Sequence, residues 1–193
     1  MMDATKSLKN IVVYCGSHAG SNPAVAKAAE ELGTWIARSG HCLVYGAGHK
    51  GVMGILADAA LAAGGQVIGV IPDFMEEREW GHHGLTKKIV TKTMFDRKQI
   101  MLEKGDVYLA LPGGGGTMEE ITEAISQVSL KLQSGPCLFV NTDGYYEPIK
   151  EMYDSMVRQG FMSQENRDNI YFPATVEEVV KILEGYGNRC VDN

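Results

Sequence analysis

The stretch PGGGGTMEE, Pro112 to Glu120, follows the apolar run Val107 to Leu111 and precedes a helically patterned segment, residues 117–132. Strand, glycine-rich turn and helix in that order make a βα unit, and the chain repeats the arrangement on both sides. Ile11 to Cys15 reads as a strand, followed by the loop Gly16 to Ser21 and by Asn22-Pro23, an N-cap with proline at the first helical position. That helix runs to about Ser39 and Gly40 stops it. His41 to Tyr45 is a second strand, 51–63 a helix closed by Gly64-Gly65, and Val67 to Ile71 a third strand. Pro72 to Gly84 reads as a polar loop, Lys88 to Thr93 as a short strand and Met94 to Lys104 as a helix. Beyond residue 132, Cys137 to Asn141 is a strand, 147–159 a helix and Ile170 to Phe172 a short strand before a helix from about Val176. The expected fold is one Rossmann-like, doubly wound α/β domain over residues 1–193, its sheet mostly parallel and covered by helices on both faces.

Composition agrees with that class. The 193 residues are 45% hydrophobic and 22% charged, enough for one sizeable core without disulfide or metal. No apolar run approaches a membrane span, and residues 1–10 lack the apolar core of a signal peptide. Cys15, Cys42 and Cys137 lie inside apolar runs with no CxxC pairing, which reads as buried thiols in a reducing compartment, the cytoplasm. A formal charge of −6 without a basic cluster argues against nucleic acid as partner, but not against a small phosphorylated ligand.

In doubly wound sheets ligands sit beyond the carboxyl ends of the strands. Three glycine-rich segments fall there: Gly16 to Ser21, Gly46 to Gly54 and Pro112 to Glu120. In the last, Gly113 to Gly116 remove every Cβ, so backbone N–H groups can approach an anion, and the helix beginning at Thr117 adds its dipole. No lysine follows in Walker A position, so a monophosphate fits better than a magnesium triphosphate. Glu119 and Glu120 stand in the first turn of that helix. Glu120 is either the distal half of a Thr117 capping box or a carboxylate beside the sugar of a bound nucleotide.

Gly46-Ala47-Gly48-His49-Lys50-Gly51 is a literal GxGxxG, with Asp73 about twenty residues on. It follows the second strand rather than the first, and close packing of helix on strand explains such glycines as well as a dinucleotide does. Arg97 and Lys98, in MFDRK, supply either a forked donor and a point charge to a ligand or an ordinary solvated helix face. The segment Asp73 to Gly84 reads as a lid or rim; His82 and His83 lack a third ligand at recognisable spacing, so no metal is expected. Ile121, Ile125, Val128 and Leu132 form an apolar stripe for core or subunit interface.

Taken together, YGAGHKGVMG (45–54), GVIP (69–72), MFDRK (94–98) and PGGGGTMEE (112–120) resemble the LOG ("Lonely Guy") family, cytokinin riboside 5′-monophosphate phosphoribohydrolases with the older label "lysine decarboxylase-like". The resemblance spans residues 11 to about 161. It implies a homodimer that releases a free base and ribose 5-phosphate without a cofactor. It implies that Arg97 and Glu120 are catalytic and that Glu79, Lys98, Gly114, Gly115, Gly116, Thr117 and Glu119 line the nucleotide site, with Gly46, Gly48 and Gly51 forming a secondary loop. The chain departs from the family pattern at Gly115, where an aromatic is common, at Gln127-Val128-Ser129, where WAQ is frequent, and at Ala47, where glycine is usual; these changes, near the expected base pocket or the dimer-facing helix, bear on the choice of base. Pyridoxal chemistry would need a Schiff-base lysine, and no lysine stands in a recognisable context for one. Two other readings are an NAD-dependent oxidoreductase using GAGHKG and Asp73, and a nucleotide carrier or sensor without catalysis.

Overall fold

The strand β1 (Asn10–Tyr14) sends Ile11 and Val13 to one buried face and Val12 and Tyr14 to the other, as a fully enclosed parallel strand must. In the computed structural model, which describes residues 9–78 and 80–189, it sits at the centre of a seven-stranded parallel sheet. The others are β2 (Cys42–Tyr45), β3 (Gln66–Pro72), β4 (Lys87–Thr91), β5 (Val107–Ala110), β6 (Cys137–Phe139) and β7 (Ile170–Tyr171). Their order is β4-β3-β2-β1-β5-β6-β7. The chain thus builds outward from β1 to one edge, returns to lay β5 beside β1, and builds outward again. The reversal between β1 and β5 is the switch point at which such sheets open a crevice.

Helices α1 (Pro23–Arg38), α2 (Gly51–Ala62) and α8 (Val176–Arg189) cover one face, burying Leu32, Ile36, Leu56 and Val179 against Ile11, Val13 and Leu43. On the other face α4 (Met94–Lys104), α5 (Gly115–Ser129) and α6 (Glu147–Arg158) bring Met101, Ile121, Ile125 and Tyr153 onto Val12, Tyr108 and Phe139. Each fully buried aliphatic side chain contributes about 1.5–3 kcal/mol relative to exposure. Asn22 caps α1 by accepting from Ala24 N–H at 2.9 Å, with Pro23 at the first turn, as the sequence indicates. Cys15, Cys42 and Cys137 are buried free thiols.

Some boundaries differ from the sequence reading. The loop from Pro72 contains one helical turn, α3 (Asp73–Glu76), and a further short helix, α7 (Gln164–Asp168), precedes β7. The apolar stripe divides: Ile121 and Ile125 are core, Val128 packs against it, and Leu132 lies past the helix, 65% exposed. Its core portion therefore gives no support to a subunit interface.

Register brings the glycine segments level. Val13 pairs with Tyr45 on one side and with Leu109 on the other, so the loops after β1, β2 and β5 leave the sheet side by side.

Candidate active site

Those loops enclose a cleft of about 980 Å³ that runs along the carboxyl ends of the strands. Its walls are Cys15 to Asn22 after β1, Gly46 and Gly48 to Lys50 after β2, Met75 and Trp80 after β3, and Pro112 to Thr117 with Glu119 and Glu120 after β5. Thr142, Asp143 and Tyr145 after β6 complete it.

α5 begins at Gly115, two residues before the expected start, with Gly114 as N-cap and no side-chain cap. Thr117 is therefore inside the helix, and the Thr117–Glu120 capping box does not form. A side chain at Gly113 would run into Thr117 Oγ1, so this glycine is required by the fold. Gly114, Gly115 and Gly116 are different. None has a positive φ, and a Cβ at any of them would meet nothing within 4 Å. Neither conformation nor packing explains three glycines that face open space in the cleft. The N–H groups of Gly115, Gly116 and Thr117 precede the first helical bond, Met118 N–H to Gly114 O (3.1 Å), and lack an intrahelical acceptor. Together they make a place where an anion's oxygens can approach bare backbone at the positive end of a helix.

Glu120 instead turns inward. It is 8% exposed, and its Oε1 accepts from Arg97 Nη1 at 2.9 Å. Arg97 is 5% exposed, which overturns the solvated-face reading. Its Nε donates to Val70 O at 3.0 Å and its Nη2 to Gly46 O at 3.3 Å, so one guanidinium joins β3, the loop after β2 and α5. Any side chain at Gly46 would strike Nη2, which accounts for the first glycine of GAGHKG. Burial pushes the Glu120 carboxyl above its ordinary range, and the Arg97 charge pulls it back. α4 aims Arg97 because Thr93 and Asp96 form a reciprocal capping box that fixes its first turn. Cys15 lies close enough for Glu120 to add to the burial that raises its thiol pKa, so it carries no thiolate chemistry.

Lys98 stands one residue from Arg97 but engages carboxylates of α5: Glu119 at 2.7 Å and Glu123 at 3.1 Å. Those hydrogen bonds raise its pKa and hold it protonated, the wrong state for a Schiff-base nucleophile. Gly48 bridges to Gly81, and His82 N–H donates to Ala47 O at 2.8 Å, which fastens the lid segment to the loop after β2. His82 also pairs with Asp58 at 2.9 Å, and no group of potential metal ligands occurs among the described residues. Gly51 has φ +62 and packs on the Ser17–His18 backbone, while Asp73 pairs with Lys92 at 3.1 Å. The dinucleotide-like fingerprint thus has a packing explanation throughout, and it lies one strand away from the switch point. Glu79 lies outside the described residues.

Sequence reading named Trp80 as part of the lid segment but did not single out Met53, Met75, Thr142 or Tyr145; all five line the cleft. Tyr145 donates to Gly113 O at 2.7 Å, and Asp143, at φ 50, accepts from Asn22 at 2.9 Å, fixing the loop after β6 against the other two. The available signal was positional, since 142–145 directly follow a strand's carboxyl end.

The model of a protein family described as "Possible lysine decarboxylase" matches residues 53–183. A cytokinin riboside 5′-monophosphate phosphoribohydrolase of Rhodococcoides fascians is 39% identical over 176 residues, 91% of this chain and 89% of that protein. One from Arabidopsis thaliana is 37% identical over 188 residues, 97% of this chain and 88% of that protein. Among solved structures, the molybdenum cofactor carrier protein of Chlamydomonas reinhardtii superposes with a TM-score of 0.72 at 22% identity, covering 95% of this chain and 99% of that one. The molybdenum cofactor binding protein of Rippkaea orientalis gives 0.68 at 21%, covering 94% and 99%. At such identities the last two show a shared fold alone.

Proposed function

The chain belongs to the LOG family of cytokinin riboside 5′-monophosphate phosphoribohydrolases, the one whose model is described as "Possible lysine decarboxylase", and from that membership we propose that it hydrolyses the N-glycosidic bond of a nucleoside 5′-monophosphate. The products are a free base and ribose 5-phosphate. The observation that carries this reading is the buried Arg97–Glu120 pair, 2.9 Å apart, beside three glycines open to the cleft.

The strand order supports one direction for the substrate. Its phosphate occupies the glycine loop after β5, where α5 N–H groups and Thr117 receive it. The ribose lies over Glu120. The base extends toward β2 and β3, between the second glycine loop, Met53, Met75 and Trp80. Cleavage of the glycosidic bond develops positive charge at the anomeric carbon, and a desolvated carboxylate stabilises that charge more strongly than one in water. Glu120 supplies the carboxylate and takes a proton from the attacking water. Arg97 keeps Glu120 ionised and aimed. Lys98 and Glu119 form the rim, and Lys98 adds positive charge near the phosphate. Glu79 is proposed, from the family resemblance, to close over the ribose or base.

We also assign the chain to the cytoplasm, on its three buried thiols, and a homodimer, on the family resemblance. Among the described residues no helix is long and apolar enough to cross a membrane. Incubation with a panel of nucleoside 5′-monophosphates, followed by chromatography, tests the reaction. Release of free base from at least one of them is expected; binding of every member without release would favour a carrier instead.

A further inference from the structure

Hydrolysis of a nucleotide needs a group at the far end of the cleft from the phosphate, because the departing base must gain a proton. Several cleft residues are already committed. Arg97 and Glu120 hold each other, and Lys98 is held by Glu119 and Glu123. Tyr145 is bound to Gly113 O beside the glycine loop after β5. His18, whose backbone packs against Gly51, is exposed, and its ring is 3.3 Å from its own neighbour Ser17 Oγ. Cys15 is a fully desolvated thiol. On the loop after β2 the charged or titratable groups lining the cleft are His49 and Lys50. Lys50 is exposed, and among the described residues no hydrogen bond fixes its ammonium toward the cleft.

His49 is held in one orientation. Its Nδ1 lies 3.0 Å from Trp80 O, and its backbone N–H donates to the same oxygen at 3.3 Å. A carbonyl oxygen only accepts, so Nδ1 carries the hydrogen. Nε2, on the opposite side of the ring, has no hydrogen bond or ion pair among the described residues. His49 lines the cleft on the loop after β2, where the base lies if the phosphate sits after β5. The arrangement is that of a histidine whose outer nitrogen is kept for exchange while the inner one is fixed by a partner.

We propose that His49 is the general acid that protonates the leaving base, an assignment that rests on the hydrolase reading above. The C1′–N bond breaks with its electron pair passing to the base. The proton on Nε2 of the imidazolium moves to a ring nitrogen of the base, which departs neutral. Water oxygen bonds to C1′, and its released proton goes to the Glu120 carboxylate. Deprotonation of Glu120 and reprotonation of His49 by solvent restore the starting state, so one water is consumed per turnover.

The test uses two substrates. AMP needs protonation of its leaving group; 4-nitrophenyl riboside 5-phosphate does not, since nitrophenolate leaves as a stable anion. His49→Asn retains an amide N–H for Trp80 O but has no transferable proton. It is expected to lose about a hundredfold in kcat/KM on AMP while staying within about threefold of the parent on the nitrophenyl substrate. His49→Gln, which puts an amide at the Nε2 position, is expected to show the same split. Equal losses on both substrates would make His49 a fastener for the lid and overturn the proposal, as would unchanged turnover of AMP. A parent protein that cleaves neither substrate would overturn the hydrolase reading itself, and this assignment with it.

Discussion

The guanidinium of Arg97 commits three of its five N–H groups to Val70 O, Gly46 O and Glu120. This makes it a positioning group for the carboxylate, where the sequence suggested a donor to phosphate or base and the family resemblance a catalytic role. Arg97→Lys keeps the charge but cannot span all three acceptors, so kcat/KM is expected to fall by at least about tenfold. Glu120, its charge less well compensated, should become harder to ionise; if the carboxylate form is the active one, the acidic limb of the pH–rate profile moves to higher pH. Near-normal turnover with an unmoved limb would contradict the role. The same shift bears on stability. Because burial raises the folded pKa above the unfolded one, protonated Glu120 stabilises the fold below the unfolded carboxylate pKa, and that contribution is lost as pH rises through the folded value. Ala47 carries strain of another kind, with φ 60 and no exposure. Ala47→Gly is expected to raise stability by about 0.5–1 kcal/mol in denaturant unfolding, and a loss would show that its methyl packing outweighs the backbone strain. Arg97 and Glu120 were legible in the sequence through MFDRK and PGGGGTMEE. Their contact was not, because 23 residues and a strand separate them.

Helix α5 begins on residues that its own stability does not favour. Glycines are poor helix formers, so the pattern placed its start at Thr117, yet the structure begins it at Gly115. Since nothing in the protein demands glycine at 114 or 116, Gly114→Ala/Gly116→Ala should melt no lower than the parent. Its methyl groups would occupy the phosphate's approach. We expect the parent to prefer AMP over adenosine and the double variant to lose at least about tenfold of that preference, read as the ratio of kcat/KM values. An unchanged ratio would contradict the phosphate loop. The short α7 escaped sequence reading because five residues carry no period, although Ser163 caps it. The capping box of α4 uses Asp96 where the usual motif has Glu or Gln, and it escaped for that reason.

For the whole molecule, the alternation of apolar runs and helical patterns was enough to foresee one doubly wound sheet. The strand order was not written in that alternation; it follows from the return of β5 to the side of β1, and only this places the crevice. Assembly belongs to this scale too. Sedimentation at micromolar concentration should give a dimer of the 21.0 kDa chain, and a fully active monomer would contradict the family-based expectation. The central claim is that a buried carboxylate at the switch point of this sheet performs glycosidic hydrolysis. Glu120→Gln tests it most directly, because the amide keeps the shape and an acceptor for Arg97 but carries no charge. The variant is expected to fold, to bind AMP as the parent does, and to release adenine at least about a hundredfold more slowly. Retention of most of the parent's turnover by Glu120→Gln would contradict it.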